Sequence, residues 1–226
     1  MDILQLAGAT DNTYAGVEKF RKSVFVARNP TVGTGIASLD GAVAYDATEA
    51  LMTVYNSASA TNGDVEWIQP IMLRLKATAV NTSATTQQFT ISLDNINRYT
   101  SGGTTLTGAP LSQDTATGWS ARTSKATINF GVVVAPAASS DNIIVSDVVA
   151  SRAIYAANDT TEIWFGSGAV TSTGAVTDHA IICATPAPIH IGRGCTMTVH
   201  AYGASQAADP AFEVEFFYLE HPPTTI

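Results

Sequence analysis

Near the end of the sequence, in "FEVEFFYLEH", Glu213 and Glu215 stand two residues apart. In a strand, side chains at i and i+2 share one face, about 6.5–7 Å apart by strand rise. Paired carboxylates at such separations run glycoside hydrolysis, and jelly-roll glycosidases carry acidic strands. Against that chemistry, no aromatic residue sits beside the pair to stack a sugar ring, and Phe217 and Leu219 continue the same face. Solvated charges at the end of an edge strand are the simpler account. No catalytic residue is assigned, and the chain is not read as an enzyme.

Other chemistry-bearing residues are sparser. His179, His190, His200 and His221 all fall in the last fifty residues. His190 and His200 would coordinate a metal if their strands were adjacent; hydrogen-bonded structural histidines are the plainer reading. Cys183 and Cys195 lie twelve apart with no second pair, too few ligands for zinc. They read as free thiols, with a cross-strand disulfide left open. Gly33-x-Gly35 in "VGTGIAS" lacks the third glycine and the βαβ unit of a dinucleotide loop. Neither a metal nor a cofactor is expected. Trp67, Trp119 and Trp164 are scattered, and Trp164, beside Phe165, is expected in the core.

The elements that position these residues are strands. Period-2 segments with turn signals between them recur along the chain, as in a sandwich or barrel. They run at 23–28, 71–80, 88–96, 126–135, 142–150, 162–166, 179–184, 196–202 and 212–219. The stretch 41–56 is ambiguous between strand and a helical turn, because "TEALM" forms helix well. In 71–80, Ile71, Leu73, Leu75, Ala77 and Ala79 point inward, with Arg74, Lys76 and Thr78 outward. Residues 100–125, rich in Gly, Ser and Thr, read as one long polar loop, the kind that is usually functional or mobile. The spacing predicts an all-β fold, an antiparallel β-sandwich. Residues 1–35 form an extended N-terminal arm and 36–226 the single β-sandwich domain.

Of the 226 residues, 46% are hydrophobic and only 13% charged. So much apolar surface excludes charge-driven disorder. A net charge of −8 argues against nucleic-acid binding. No apolar run reaches 18 residues, so no membrane span is expected, and the acidic start lacks the basic region of a secretory signal. The charge is uneven. Residues 1–30 hold Lys19, Arg21, Lys22 and Arg28 against three acidic residues, whereas the other 196 carry seven basic and sixteen acidic ones. The basic segment is either a solvated turn or an arm that docks on an acidic partner.

In the last strand Phe212, Val214, Phe216 and Tyr218 form a core face, while the opposite face begins acidic and ends in Phe217 and Leu219. A strand in a two-layer sandwich has one core face and one outer face. The apolar end of the outer face must therefore meet a loop, the arm or another subunit. Burying one Phe and one Leu contributes about 3–6 kcal/mol before association costs. Self-association or docking is the preferred reading, with Lys19, Arg21, Lys22, Arg28, Phe217 and Leu219 as interface residues.

The stretch "PAPIHIGRGCTMTVHAYGASQAADPAFEVEFFYLEHP" (186–222) resembles the closing hairpin of small β-rich virion proteins of tailed bacteriophages. There a turn leads to a strand, an Ala/Ser-rich loop follows, and a strand ending in an aromatic and Glu closes the sheet. Gly192 and Gly194 hold the turn here, "GASQAADPA" the loop, and Tyr218 and Glu220 the end. The resemblance covers about forty residues; the two cysteines are not part of the pattern. It implies a jelly-roll-like capsid decoration (cement) protein on the virion surface, a homo-oligomer with a trimer as one of its open forms, fixed to the head by its arm and clamping the major capsid protein without covalent bonds. The alternative is a carbohydrate- or receptor-binding sandwich, a fibre or lectin-like module with residues 100–125 as its contact surface.

Overall fold

The computed structural model describes residues 24–38, 45–58, 65–79, 87–111, 123–135, 143–146, 151–152, 157–166, 180–185, 187–202 and 210–221. Lys19, Arg21, Lys22 and Trp119 lie outside them. The first strands are β1 (Val24–Arg28), β2 (Ile36–Ala37), β3 (Glu49–Asn56), β4 (Trp67–Ala79) and β5 (Gln87–Asp94). Next come β6 (Tyr99–Ser101), β7 (Thr104–Leu106), β8 (Gly108–Pro110), β9 (Ala126–Val134), β10 (Ile143–Ser146) and β11 (Ser151–Arg152). The chain closes with β12 (Thr160–Phe165), β13 (Ala180–Thr185), β14 (Ile191–Gly192), β15 (Thr196–Tyr202) and β16 (Ala211–His221). Among the described residues there is no helix.

The strands form two sheets. The first runs β13-β12-β4-β16-β1-β8 and the second β10-β5-β15-β3-β9-β6. Among the described residues every pairing is antiparallel except the edge pair of β12 with β13, which is parallel. Eight principal strands carry the topology: β1, β3, β4, β5, β10, β12, β15 and β16. Numbered one to eight in chain order, they read 6-3-8-1 across the first sheet and 5-4-7-2 across the second. The pairs one with eight, two with seven, three with six and four with five are rungs of one long folded ribbon. Wrapping that ribbon into two layers gives the two Greek keys of a jelly roll. The expected all-β antiparallel sandwich is the fold. Its first sheet includes β1, so the sandwich takes in part of the stretch expected to be arm.

Alternation builds the core between the sheets. Phe212, Val214, Phe216 and Tyr218 of β16 face it, as do Leu73, Leu75 and Ala77 of β4, all buried. Phe25 stacks on Tyr218 at 5.5 Å and Tyr218 on Phe216 at 5.2 Å, with Phe165 edge-on to Phe216. In the middle of β4, Pro70 interrupts this pattern. The pairing with β16 slips there, from Met72 opposite Phe217 to Pro70 opposite Tyr218. The extra residue, Ile71, switches the parity of β4, so that Ile68 and Leu73 both reach the core. Ile71, expected inward, is therefore only half-buried, and Ala79 at the strand end is exposed. A proline cannot donate to a ladder. On its other flank Pro70 falls between the pairing with β12, which ends at Met72, and that with β14, which begins at Ile68.

Residues 99–134 are inserted between principal strands four and five. β8 from this insertion lies beside β1, and β9, joined by β6 and β7, lies beside β3. The insertion thus covers one flank of each sheet, where unpaired backbone groups would otherwise invite pairing with other chains. Within 100–125, the described residues up to Pro110 are the short strands β6–β8 rather than loop. At the bend of β9, Gly131 has φ +66° and lies so close to the Ala37 carbonyl that a side chain would collide with it.

Candidate functional site

The outer face of the first sheet carries three rows of side chains across β12, β4, β16 and β1. Cross-strand registry places Lys76 opposite Thr160 on one side and Glu213 on the other. One step along, Glu162, Arg74, Glu215 and Arg28 stand abreast. The third row is Trp164, Met72, Phe217 and Val26. Directly opposite residues on one face are the contacting unit of a sheet, and alternation of β4 and β16 supplies two adjacent charges of one sign on each strand.

The charges are knitted together. Arg74 donates to Glu162 at 2.9 Å through Nε and to Glu215 at 2.8 Å through Nη1. Arg28 Nη2 reaches the other oxygen of Glu215 at 3.2 Å. Lys76 Nζ donates to Glu213 at 3.0 Å, and the Gly33 amide donates to that carboxylate at 2.5 Å. The hydrogen bond from Lys76, joined by that from Gly33, holds the Glu213 carboxyl below the usual range. For Arg74, burial works against the charge, but Glu162 and Glu215 outweigh it and the proton is held more tightly. Trp164 Nε1 donates to Glu162 at 3.1 Å, linking the charged and apolar rows.

The Asn29–Gly35 turn is fastened beside this face. Asn29 Nδ2 donates to the Thr34 and Phe212 carbonyls, and Asn29 Oδ1 accepts from the Val214 amide. Gly33 takes φ +82° within the turn, a conformation that glycine adopts without steric cost. Between turn and sheet opens a shallow basin of about 530 Å³, with Val32 and Thr160 on its boundary.

A general acid in glycoside hydrolysis needs a raised pKa. Glu213 has a lowered one, and Glu215 bridges two guanidinium groups. What the arrangement supplies is a stiff patterned surface, with three cations compensated by three carboxylates. Sequence reading singled out Arg28 and Phe217, and both lie on it. It passed over Glu162, Arg74, Lys76 and Asn29, although the outward pairs Arg74/Lys76 and Glu213/Glu215 carry opposite signs at matching spacing. Trp164, expected in the core, faces outward. Leu219 is only 1% exposed, so Phe217, partly exposed, is the more accessible of the two apolar residues.

The remaining candidates fall elsewhere. His190 precedes β14 in the first sheet, whereas His200 is buried on β15 in the second, so the two do not share a site. His200 Nδ1 donates to the Glu49 carbonyl at 2.8 Å, and its ring lies 4.9 Å from that of Tyr45. Among the described residues no group of three or more His, Cys, Asp or Glu gathers as metal ligands. Cys195 is a free thiol, and burial pushes its pKa up. Trp67 packs against both His190 and His221 in tilted pairs, with ring centroids 5.6 and 5.3 Å apart.

His221 gives the fold an acid-sensitive point. Its Nε2 donates to Gln69 at 2.9 Å, and burial, with the charge of His190, depresses its pKa to about 4. A histidine with a folded pKa below its unfolded value binds its proton more weakly when folded. Stability is thus full above about pH 6.5 and declines toward pH 4. Burial depresses His200 in the same direction. We expect a loss on the order of 2 kcal/mol from His221 after discounting for its partial exposure. Thermal melts at pH 7, 5.5 and 4 on wild type and His221→Gln measure it. Parallel pH profiles would show that His221 is not the origin.

No protein-family model matches this chain, and no curated protein or solved structure is significantly similar to it.

Proposed function

We propose that this chain is a structural virion protein, a capsid decoration (cement) protein that binds the outside of a phage head and stabilises it by non-covalent clamping. The observation that carries the reading is the outer face of the first sheet: a compensated charge ladder bordered by an apolar row, on a sandwich with one flank of each sheet covered by its own insertion. Such a molecule presents broad faces to its surroundings, and faces are what shell proteins dock with. The jelly-roll order agrees with this, since that architecture serves capsid domains as well as lectins. The resemblance of residues 186–222 to virion proteins points the same way. In this role the major capsid protein and further copies of the chain are the partners, and Lys19, Arg21 and Lys22 reach the acidic surface of a neighbouring shell subunit.

The test is made on purified particles. Heads bearing the chain should carry it at fixed outer positions and should withstand heat better than heads prepared without it. Truncation should stop at residue 22, because Phe25 and Ala27 of β1 are core residues. Removal of residues 1–22 should leave the sandwich folded and weaken attachment, more so at high salt. Particles without the chain, or equal head stability in its absence, would overturn the reading.

The carbohydrate-binding alternative has one feature in its favour. Tyr45 is 45% exposed and meets Tyr202 edge-on at 5.6 Å, a pair of rings that a sugar face can stack on. Saccharide-specific signal on a glycan array, abolished by Tyr45→Ala, would favour it over decoration.

A further inference from the structure

The three rows on the first sheet are arranged about the line between β4 and β16. From β12 to β1 the middle row reads Glu162, Arg74, Glu215, Arg28, so its signs alternate. A half-turn about an axis running along the strands between β4 and β16 exchanges those two strands and exchanges β12 with β1. Two copies laid face to face by that rotation set Arg74 against Glu215 and Glu162 against Arg28, twice each. The same rotation sets Lys76 against Glu213 and, in the third row, Met72 against Phe217 and Trp164 against Val26. A two-fold axis across the strands along the middle row would instead lay each charge of that row over its own copy, which is repulsive. We infer that this face is an isologous two-fold interface between two copies of the chain.

The face has room for a second set of partners. The side chains of Arg28, Arg74 and Lys76 are 57%, 40% and 42% exposed although each is already paired. Val32, at the rim of the basin, is 90% exposed. The half-turn carries it from the β1 side of one copy toward the Thr160 side of the other copy's basin. Paired charges fix orientation more than they add affinity; the apolar anchors for tight association are Val32, Trp164 and Phe217. Packed sheets keep strand directions within about 30°, compatible with a two-fold axis along the strands.

This rests on the self-association in the proposed role and names its surface. Wild-type protein should sediment as a concentration-dependent dimer up to roughly 100 μM. Arg74→Glu and Glu215→Arg, each alone, should weaken dimerisation about tenfold or more. Mixing the two variants should restore it, because every cross-interface contact then regains opposite charges while each chain's own ladder stays broken. That complementation excludes misfolding as the cause. Val32→Asp, at a site with almost nothing to unfold, should also weaken the dimer. A wild-type monomer throughout this range, or failure of the mixture to dimerise, overturns the inference. An oligomer that all three variants leave intact overturns this face while leaving self-association standing; head binding is measured separately on particles.

Discussion

Asp94→Ala should lower stability by about 3–5 kcal/mol, the largest loss we expect from any single polar substitution in this chain. Asp94 ends β5, and its carboxylate meets Arg98 Nη1 at 3.2 Å with both side chains only 1% exposed. Arg98 also donates from Nε to the Ala135 carbonyl at 2.5 Å and from Nη2 to the Ala47 carbonyl at 3.2 Å. Its own carbonyl accepts from the Ala135 amide at 2.8 Å. Residues 98 and 135 are the entry and exit of the insertion that flanks β1 and β3, so this guanidinium staples the neck of the insertion. Removing the carboxylate leaves a buried cation uncompensated, whereas replacing both partners with apolar residues removes the unpaired charge as well. The double variant Asp94→Leu/Arg98→Met should therefore be less destabilised than Asp94→Ala alone. Urea unfolding followed by tryptophan fluorescence measures both. A loss below about 1 kcal/mol in Asp94→Ala would show that the pair does not clamp the neck.

This pair also shows where sequence reading runs out. In "DNINRYT" an arginine among asparagines reads as a solvated turn, because nothing local reveals that chain from either side of β3 and β9 will close over it. The long strands were legible for the opposite reason. Alternation in β5, β9, β15 and β16 is a local pattern, and its apolar phase picks out the side chains that join the core. Where a strand is short, alternation is present but its phase is not. "EIWF" has Trp164 and Phe165 adjacent, and size alone favours neither; the structure turns Ile163 and Phe165 inward and lets Trp164 find Glu162. β6, β7 and β8 are three residues each, the first two built around Thr and the last holding glycine and proline, so their pairing comes from the flanks they cover and not from propensity.

The candidate face was half legible for the same physical reason. That Glu213, Glu215 and Phe217 share a side follows from period two. That Arg74 and Lys76 stand opposite them depends on register over 137 to 141 residues of chain, which no local signal carries. Pro70 shows the limit most sharply. A proline inside an otherwise regular strand argues for a break, yet β4 continues, because one added residue moves the parity and the missing donor falls in a gap between two partners.

Glu220→Ala should cost about 2–4 kcal/mol and loosen one end of the sandwich. Parity along β16 puts residue 220 on the inner face, at a strand end where the two sheets are open to each other. A buried polar group there, such as this carboxylate, needs hydrogen-bond partners. Its Oε1 accepts from the Ser124 hydroxyl at 2.7 Å, the Lys125 amide at 2.6 Å and the Ala126 amide at 3.1 Å. Ser124 Oγ also lies 2.7 Å from the Tyr218 hydroxyl, whose proton burial makes harder to remove. These contacts fasten β16 of the first sheet to the start of β9 in the second, so one carboxylate bridges the layers and sets where β9 begins. Glu220→Gln keeps an acceptor oxygen in place and should lose less than Glu220→Ala. Hydrogen exchange distinguishes a local bridge from general packing: the Lys125 and Ala126 amides should lose protection in Glu220→Ala before the amides of β5 and β15 do. Unchanged protection at those two amides, or equal losses for Gln and Ala, would remove the bridge, and β9 would then owe its position to its pairing with β3 alone.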